Sequence, residues 1–236
     1  MPRFVVVTGA SSGIGRAVAS RLLDEGHAVL GLARDFSKFQ HPRLKAVEVD
    51  LAELATLPEQ LKNLVDGHAG VDAVVLNAGR GEFGGLEEFS FAQIRSLVDL
   101  NFVSHAYVVR AFLPTMKKVD RGDLVFIGSE AALAGKRRGA VYCATKFALR
   151  GFSQALREEC AASGIRVTLV NPGMVRTPFF DKLDFAPGND PENYVLPEDV
   201  AEVVSMVLAS RPQTTFDEIN LSPLKRVVRH KKGERG

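Results

Sequence analysis

The protein has 236 residues, 46% of them hydrophobic and 25% charged, with a formal net charge of +2 at pH 7. These values are ordinary for a globular domain, and the near-neutral charge argues against a broad basic face for nucleic acid. No apolar run reaches the ~18 residues of a membrane-spanning helix, and the N-terminus lacks the pattern of a signal peptide. We therefore expect a cytoplasmic protein with neither a nucleic-acid nor a membrane partner.

Two cysteines and five histidines are candidate metal ligands, but their spacing is not that of a metal site. Cys143 and Cys160 are also too few for a disulfide framework. The sequence therefore predicts two reduced thiols on one helix and no bound metal.

In chain order, strand and helix patterns alternate almost without exception. Apolar, β-branched runs predict strands at residues 4–8, 28–33, 44–49, 71–76, 123–127, 165–170 and 216–221. Apolar residues at helical spacing predict helices at residues 14–25, 57–65, roughly 90–118, 142–162 and 197–209. Because the strands are continuous apolar runs, helices should cover both faces of a parallel sheet. The prediction is a doubly wound, Rossmann-like α/β domain over residues 1–225, followed by a basic tail over residues 226–236.

A glycine-rich turn follows the first predicted strand. It reads Thr8-Gly9-Ala10-Ser11-Ser12-Gly13-Ile14-Gly15 and opens directly into a helix. Ligands bind beyond the carboxyl ends of parallel strands, where glycines allow close approach and a helix N-terminus offers N–H groups to a phosphate. Since the strand before and the helix after both agree, the turn predicts a dinucleotide site rather than a structural loop.

Arg34 follows the second predicted strand, where a carboxylate would hold the ribose hydroxyls of NAD(H). A guanidinium can instead hold the 2′-phosphate of NADP(H) through two hydrogen bonds. We therefore expect NADP(H) as the preferred cofactor. Asp35 is the next residue, so NAD(H), with Arg34 merely solvated, is the alternative.

The remaining strand ends carry small, polar or turn-forming residues. Asp50 and Leu51 can hold the amino group and one face of an adenine, and Asn77-Ala78-Gly79 lets a cofactor lie close. Gly128-Ser129 and Asn171-Pro172-Gly173 follow the next two strands. All of them should face one crevice, which predicts a single cofactor and substrate site.

Tyr142 and Lys146 lie four residues apart on a predicted helix and therefore share a face. Carbonyl reduction by hydride needs a proton donor, and a phenol with a pKa of about 10 must be acidified to serve the reverse reaction. A lysine ammonium and a positive nicotinamide would favour the phenolate. Ser129 can hold the substrate oxygen, and Asn101 can steady a water that leads protons to Lys146.

As a set, these residues resemble the short-chain dehydrogenase/reductase family in its single-domain form, in the family's order and spacing. The resemblance rests on Thr8-Gly-xxx-Gly13-x-Gly15, Asp50, Asn77-Ala-Gly79, Asn101, Ser129, Tyr142-xxx-Lys146 and Pro172-Gly173. It implies a catalytic tetrad of Asn101, Ser129, Tyr142 and Lys146, with Lys146 also holding the nicotinamide ribose. It further implies that Val175 and Thr177 contact the nicotinamide end.

The predicted cofactor-binding set combines the strand-end residues with those implied by the resemblance. It comprises Gly9, Ser11, Ser12, Gly13, Ile14, Gly15, Arg34, Asp50, Leu51, Asn77, Ala78, Gly79, Tyr142, Lys146, Pro172, Gly173, Val175 and Thr177. Arg34 matches the family's NADP-preferring pattern. Ser12 departs from it, because some NADP-preferring members carry a basic residue at that position.

The C-terminal residues 216–226 and the region before Pro197 bear on the substrate. The ending departs from the Asp-Gly-Gly of 3-oxoacyl-carrier-protein reductases and resembles the 3-hydroxy acid (serine-type) dehydrogenases. About twenty residues separate Thr177 from Pro197, a short lid whose aromatic residues either line the pocket or pack the lid onto the core. These features favour a small or medium carbonyl or alcohol substrate. A 3-oxoacyl-carrier-protein-type reductase and a non-catalytic NADP(H)-sensing module are the alternatives.

Two basic segments allow more than one interpretation. Lys136-Arg137-Arg138 is either a solvated run or a positive field that attracts oxo or hydroxy acids to the pocket mouth. Residues 225–232 are expected to be a solvated tail, with a subunit contact or weak polyanion binding as alternatives. The resemblance also implies a homotetramer or homodimer in which helices near residues 99–118 and 140–163 pack across a two-fold axis.

Overall fold

A computed structural model describes residues 2–231 of the protein. Its strands are β1 (Phe4–Thr8), β2 (Ala28–Ala33), β3 (Leu44–Glu48), β4 (Ala73–Leu76), β5 (Gly122–Ile127), β6 (Ile165–Pro172), β7 (Phe185–Pro187), β8 (Glu218–Leu221) and β9 (Val228–His230). Seven of them form one parallel sheet in the order β3-β2-β1-β4-β5-β6-β8. The direction of winding reverses between β1 and β4, which creates a crevice at their carboxyl ends.

Helices cover both faces of this sheet. They are α1 (Gly13–Asp24), α2 (Leu57–Gly67), α3 (Phe91–Val98), α4 (Ser104–Lys118), α5 (Ala140–Cys160) and α6 (Pro197–Ala209). Neighbouring residues of β1 point to opposite faces, so Val6 packs in the apolar cluster that includes Leu61 of α2, whereas Val7 packs in the one that includes Leu22 of α1. The predicted doubly wound, Rossmann-like α/β fold is thus confirmed.

The predicted helix near residues 90–118 is interrupted. A π-helical segment over residues 99–103 separates α3 from α4 and contains Asn101. A π turn inserts one extra residue into the hydrogen-bond ladder and re-aims the side chains around it. The apolar spacing on either side continues to look helical, which is why the interruption gave no signal in the sequence.

The segment after residue 225 was expected to be a solvated tail, and its described part instead folds back onto the protein. Val228–His230 pairs antiparallel with Phe185–Pro187, and Lys231 Nζ donates to the carbonyl oxygens of Phe180 and Asp181. The paired residues of β9 remain exposed. A three-residue strand is too short for a period to be read, so this pairing depends on which segment lies beside it. Lys232 and the rest of the predicted tail lie outside the described residues.

Three features of residues 2–231 concern partners and ligands. None of the helices there has both the length and the apolar character needed to cross a membrane. Cys143 and Cys160 are buried free thiols. The same residues contain no group of three or more His, Cys, Asp or Glu side chains arranged to hold a metal ion.

Candidate active site

The glycine-rich turn leads from β1 into α1 at the crevice. Gly9 and Gly13 have φ angles of +66° and +51°, a left-handed conformation that L-residues with a side chain adopt rarely. A Cβ atom at Gly15 would collide with the carbonyl oxygen of Gly9, so the helix start lies directly against the turn. The N-terminus of α1 therefore begins beside the carboxyl end of β1, where it can bind a phosphate.

Asn77-Ala78-Gly79, after β4, is hydrogen-bonded to the end of β1. Asn77 N and Ala78 N both donate to Thr8 Oγ1, at 2.8 and 3.0 Å. The Asn77 side chain donates to Thr8 O at 3.0 Å. Its amide group thus braces the two strand ends that border the crevice, which makes the segment a rigid wall for a ligand.

The predicted adenosine end lies beyond β2 and β3. Arg34 is exposed, and within residues 2–231 it forms no ion pair. The Asp35 carboxylate accepts hydrogen bonds from Ser37 N at 2.7 Å and Ser37 Oγ at 2.9 Å, so it is turned toward Ser37. Asp50 accepts from Ala52 N at 2.9 Å, and Leu51 is buried. This arrangement leaves the Arg34 guanidinium available to an anion.

Ser129, Tyr142 and Lys146 come together at the carboxyl end of β5. Tyr142 and Lys146 are both buried on α5, and Lys146 Nζ lies 5.9 Å from the centre of the Tyr142 ring. Lys146 Nζ also donates to Ile127 O at 3.1 Å, which ties α5 to β5. Ser129 Oγ accepts from Ala131 N at 3.1 Å, and its hydroxyl lies close enough to the Tyr142 side chain to lower the pKa of the phenol.

Burial dominates the acid–base properties of this pair. It raises the pKa of Tyr142 to about 12, against the opposing effect of the nearby Ser129 hydroxyl. It lowers the pKa of Lys146 to about 8. The expectation that Lys146 acidifies the phenol is therefore not met by the protein's own groups. The ammonium lies 5.9 Å from the centre of the ring, and desolvation of the phenol outweighs its charge.

Asn101 joins the loop after β4 to α5. Its side chain exchanges two hydrogen bonds of 2.9 Å with the main chain of Arg80 and donates to Thr145 Oγ1 at 3.3 Å. Thr145 directly precedes Lys146 and also donates to Tyr142 O at 2.7 Å, so Asn101 lies close to the helical turn that carries Tyr142 and Lys146. Because both polar atoms of the Asn101 carboxamide bond to protein groups, the side chain holds the loop after β4 in place.

Thr177, one of the residues implied for the nicotinamide end, lies against the glycine-rich turn. A Cβ atom at Gly13 would lie 3.4 Å from Thr177 Cγ2, which places Thr177 across from the start of α1. Gly173 N donates to Leu221 O at 2.8 Å, and Val175 is buried. The Thr177 contact places the segment after β6 across the crevice from the glycine-rich turn, and the Gly173 hydrogen bond ties that segment to β8.

Aromatic side chains form a wall beside Tyr142. The ring of Phe83 lies 5.0 Å from the Tyr142 ring, and that of Phe179 lies 5.9 Å from it. Phe185 packs on Phe83 at 5.0 Å. Tyr194, by contrast, accepts a hydrogen bond from Arg176 at 2.8 Å away from this cluster. Phe83 had not been predicted, because it lies outside the lid segment that suggested the others.

The basic run after Ser129 is largely neutralised. Lys136 lies 3.7 Å from a carboxylate oxygen of Glu130, and Arg138 forms a 2.9 Å ion pair with Glu88. Such pairs reduce the field that these charges exert on an approaching anion. The hypothesis that Lys136-Arg137-Arg138 attracts anionic substrates to the pocket mouth therefore loses most of its support.

His105 is a buried polar residue to which the sequence assigned no role. Its Nε2 atom lies 2.6 Å from Ala78 O, and burial together with the Lys146 charge lowers its pKa to about 4. The imidazole is therefore neutral at pH 7 and donates through Nε2 to that carbonyl. The sequence feature that could have drawn attention to His105 is its spacing of four residues from Asn101, which places both residues on one face of a helix.

Comparison with known proteins agrees with this geometry. The model of the short chain dehydrogenase family matches residues 3–186. An uncharacterized oxidoreductase of Staphylococcus aureus (strain MW2) is 30% identical over 229 residues, which cover 94% of this chain and 97% of that protein. An uncharacterized oxidoreductase of Staphylococcus epidermidis (strain ATCC 12228) is 28% identical over 228 residues, with the same coverage of 94% and 97%.

Solved structures show the same likeness over almost the whole length. An alcohol dehydrogenase from the archaeon Thermococcus sibiricus, complexed with 5-hydroxy-NADP, has a TM-score of 0.84 at 27% identity, covering 96% of this chain and 99% of that one. The closed form of serine dehydrogenase complexed with NADP+ has a TM-score of 0.80 at 26% identity, covering 92% and 94%. The family match and the assembled site lead to the same conclusion: the chain belongs to the short-chain dehydrogenase family and is a nicotinamide-dependent dehydrogenase or reductase.

Proposed function

We propose that the protein is an NADP(H)-dependent oxidoreductase that acts on the carbonyl or secondary alcohol of a small or medium substrate, with Tyr142 as acid and base. The observation that carries this proposal is the convergence of Ser129, Tyr142 and Lys146 at the carboxyl end of β5, the edge of the sheet at which the glycine-rich turn also lies. A free phenol, a hydroxyl donor and an ammonium at one strand end are the groups that carbonyl reduction requires.

The residues present fit a nicotinamide dinucleotide phosphate. The positive φ angles at Gly9 and Gly13 keep the turn open to a pyrophosphate at the start of α1. Arg34, which is exposed and forms no ion pair with any residue from 2 to 231, suits a 2′-phosphate. Solved relatives with NADP+ or 5-hydroxy-NADP in their complexes support this cofactor.

In this proposal the bound nicotinamide supplies or accepts the hydride, and the protein's own residues handle the oxygen atom and the proton. Ser129 Oγ accepts a hydrogen bond from Ala131 N, and its single hydroxyl proton turns to the substrate oxygen when substrate is bound. The Tyr142 hydroxyl donates the proton that the reduced oxygen takes up. Lys146, held on Ile127 O, keeps a positive charge beside the phenol, and the Phe83 and Phe179 rings exclude water.

A further hypothesis is that the substrate carries a carboxylate. Its support comes from a cationic cavity rather than from the basic run Lys136-Arg137-Arg138. A cavity of about 190 Å³ is lined by Thr177 and by Arg176, Arg229 and Lys231, with Asp181 as the opposing charge. This cavity places more cationic than anionic groups beside the predicted nicotinamide end. A comparison of kcat/KM for a short 3-hydroxy acid and its methyl ester, at low and high salt, tests the idea. If the ester is used equally well, or the acid's advantage ignores salt, the hypothesis fails.

The first experiment is NADPH consumption with a panel of carbonyl compounds, including a 3-oxoacyl thioester, in wild type and Tyr142→Phe. We expect turnover by the wild type and none above background by the variant. A non-catalytic NADP(H)-sensing module would bind NADPH and consume it with no member of the panel. Preference for the thioester would favour the acyl-carrier type of reductase.

We also propose a homodimer or homotetramer and a cytoplasmic location. Tyr107 on α4 and Phe147 on α5 are 36% and 44% exposed, so both helices present large apolar side chains outward. A two-fold packing of these helices would cover them. The buried free thiols of Cys143 and Cys160 suit a reducing compartment.

A further inference from the structure

A chain of hydrogen bonds runs from Ser129 into the edge of the sheet through Asn171. Asn171 lies near the end of β6 and is 1% exposed. Its Oδ1 atom accepts from Ser129 N at 3.3 Å. Its Nδ2 group donates to Glu218 Oε1 at 2.9 Å and to Asn220 Oδ1 at 3.0 Å, both on β8.

The same chain continues to the helix that carries the catalytic pair. Glu218 Oε2 accepts from Arg150 Nε at 3.0 Å. Arg150 lies four residues after Lys146 and eight after Tyr142, so all three share one face of α5. The two catalytic elements, the Ser129 loop and α5, are therefore tied to one carboxamide.

Only a carboxamide satisfies this position. Its oxygen must accept from a main-chain N–H and its nitrogen must donate to a carboxylate, and asparagine offers both groups. An aspartate would oppose its charge to that of Glu218 at low solvent exposure, and a leucine would leave buried polar partners unsatisfied. Space is equally restricted, because a Cβ atom at Gly128 would collide with Asn171 Oδ1.

We propose that Asn171, held by Glu218 and Arg150, is a positioning residue that sets Ser129 against the substrate oxygen and Tyr142. The proposal rests on the function proposed above for Ser129 and Tyr142. Asn171 itself touches neither the substrate nor the reacting atoms. It acts by fixing the main chain of Ser129 relative to α5.

Loss of this support has two expected consequences. A displaced Ser129 stabilises the transition state less, while the glycine turn and Arg34 are untouched, so kcat falls and NADPH affinity does not. The Ser129 hydroxyl also opposes the rise in the pKa of Tyr142. Weakening this effect moves the ascending, low-pH limb of the pH profile for alcohol oxidation to higher pH, because Tyr142 must lose its proton to act as the base, while Lys146, Cys143 and Glu130, which also face Tyr142, stay in place.

The test is a double-mutant cycle that reverses the polarity of one hydrogen bond. Asn171→Asp keeps the acceptor for Ser129 N and sets two carboxylates against each other. Adding Glu218→Gln restores a donor that faces the new carboxylate and retains an oxygen for Arg150. We expect Asn171→Asp to lower kcat by about tenfold or more, and the double variant to recover to within about threefold of wild type.

The panel compound with the highest wild-type rate is the probe, and each variant is also measured for Tm and NADPH affinity. Asp217→Asn is the matched control, because it breaks the analogous 3.0 Å ion pair between Arg157 of α5 and Asp217 without touching Asn171. It should change kcat and the pH profile by less than about twofold. Glu218→Ala, at a partly exposed site, provides a second variant that should fold and shift the profile in the same direction as Asn171→Asp.

Additive effects in the cycle would overturn the proposal. So would a fall in Tm with kcat and pH profile unchanged, since that is the behaviour of a purely structural residue. The proposed function fails separately: if Tyr142→Phe retains its activity, Tyr142 is not the acid, whatever Asn171 does. If Tyr142→Phe is inactive and the cycle is additive, only the positioning role is wrong.

Discussion

Lys146→Met should make the protein more stable at neutral pH and abolish its activity. The lysine is 6% exposed, and burial lowers its pKa from the ordinary 10.5 to about 8. The folded protein therefore carries an ammonium group in a site that disfavours charge. Methionine is similar in length and apolar, so it fills the same space without that cost.

The size of the gain in unfolding free energy follows from the lowered pKa of Lys146. Each unit corresponds to ~1.4 kcal/mol, so the buried charge costs about 3 kcal/mol at pH 7. The substitution also removes the hydrogen bond to Ile127 O, at a cost of ~1 kcal/mol. A net gain of ~2 kcal/mol remains, equivalent to a rise in Tm of about 4–8 °C for a chain of this size.

The stability gained by Lys146→Met depends on pH. The folded pKa lies below the unfolded one, so the wild type bears the full cost below pH 8 and is relieved of it as pH rises from about 8 to 10.5. Thermal unfolding of both proteins without cofactor at pH 7, 9 and 10.5 measures this, with exposed Lys62→Met as the control. The stabilisation should shrink with rising pH. A less stable variant at pH 7, or a difference that ignores pH, would refute the reasoning.

Three further predictions concern catalysis, cofactor and assembly. Tyr142→Phe should retain its packing on Phe83 and its affinity for NADPH but lose ~10²–10⁴-fold in turnover, and a residual rate above about a tenth would disprove its role. Arg34→Ala should narrow the preference for NADPH over NADH by about tenfold, measured by fluorescence titration, and equal wild-type affinities would rule out the 2′-phosphate contact. Sedimentation should show a dimer or tetramer that Phe147→Glu weakens, whereas a wild-type monomer at micromolar concentration contradicts the assembly.

Local patterns were sufficient for the fold and for the main chemical groups. The apolar run at β1, the glycines that follow it and the helix after them occur within a short stretch of chain, so their meaning can be read directly. Tyr142 and Lys146 needed only helical spacing to be placed on one face. Each of these inferences depends on backbone geometry that repeats with a fixed period.

Local patterns were insufficient wherever a side chain meets a distant partner. Arg138 is paired with Glu88, 50 residues away. The sequence had suggested that Arg138 belongs to a run whose positive field attracts anionic substrates, whereas the fold places it in an ion pair. The contacts between β7 and β9, and the π turn at Asn101, likewise have no period that announces them.

The site's electrostatics show the same division between chain and fold. The sequence identified a phenol and an ammonium on one helix face and a hydroxyl at a strand end, because those are properties of residue type and order. Their pKa values depend instead on how much water the packed helices exclude, and burial moved Tyr142 to about 12 and Lys146 to about 8. Asn171 gained its place between Ser129 and Glu218 for a similar reason, since sheet register brings together residues 42 and 47 positions away from it. Desolvation and long-range pairing arise only when the chain is packed, so spacing along it does not report them.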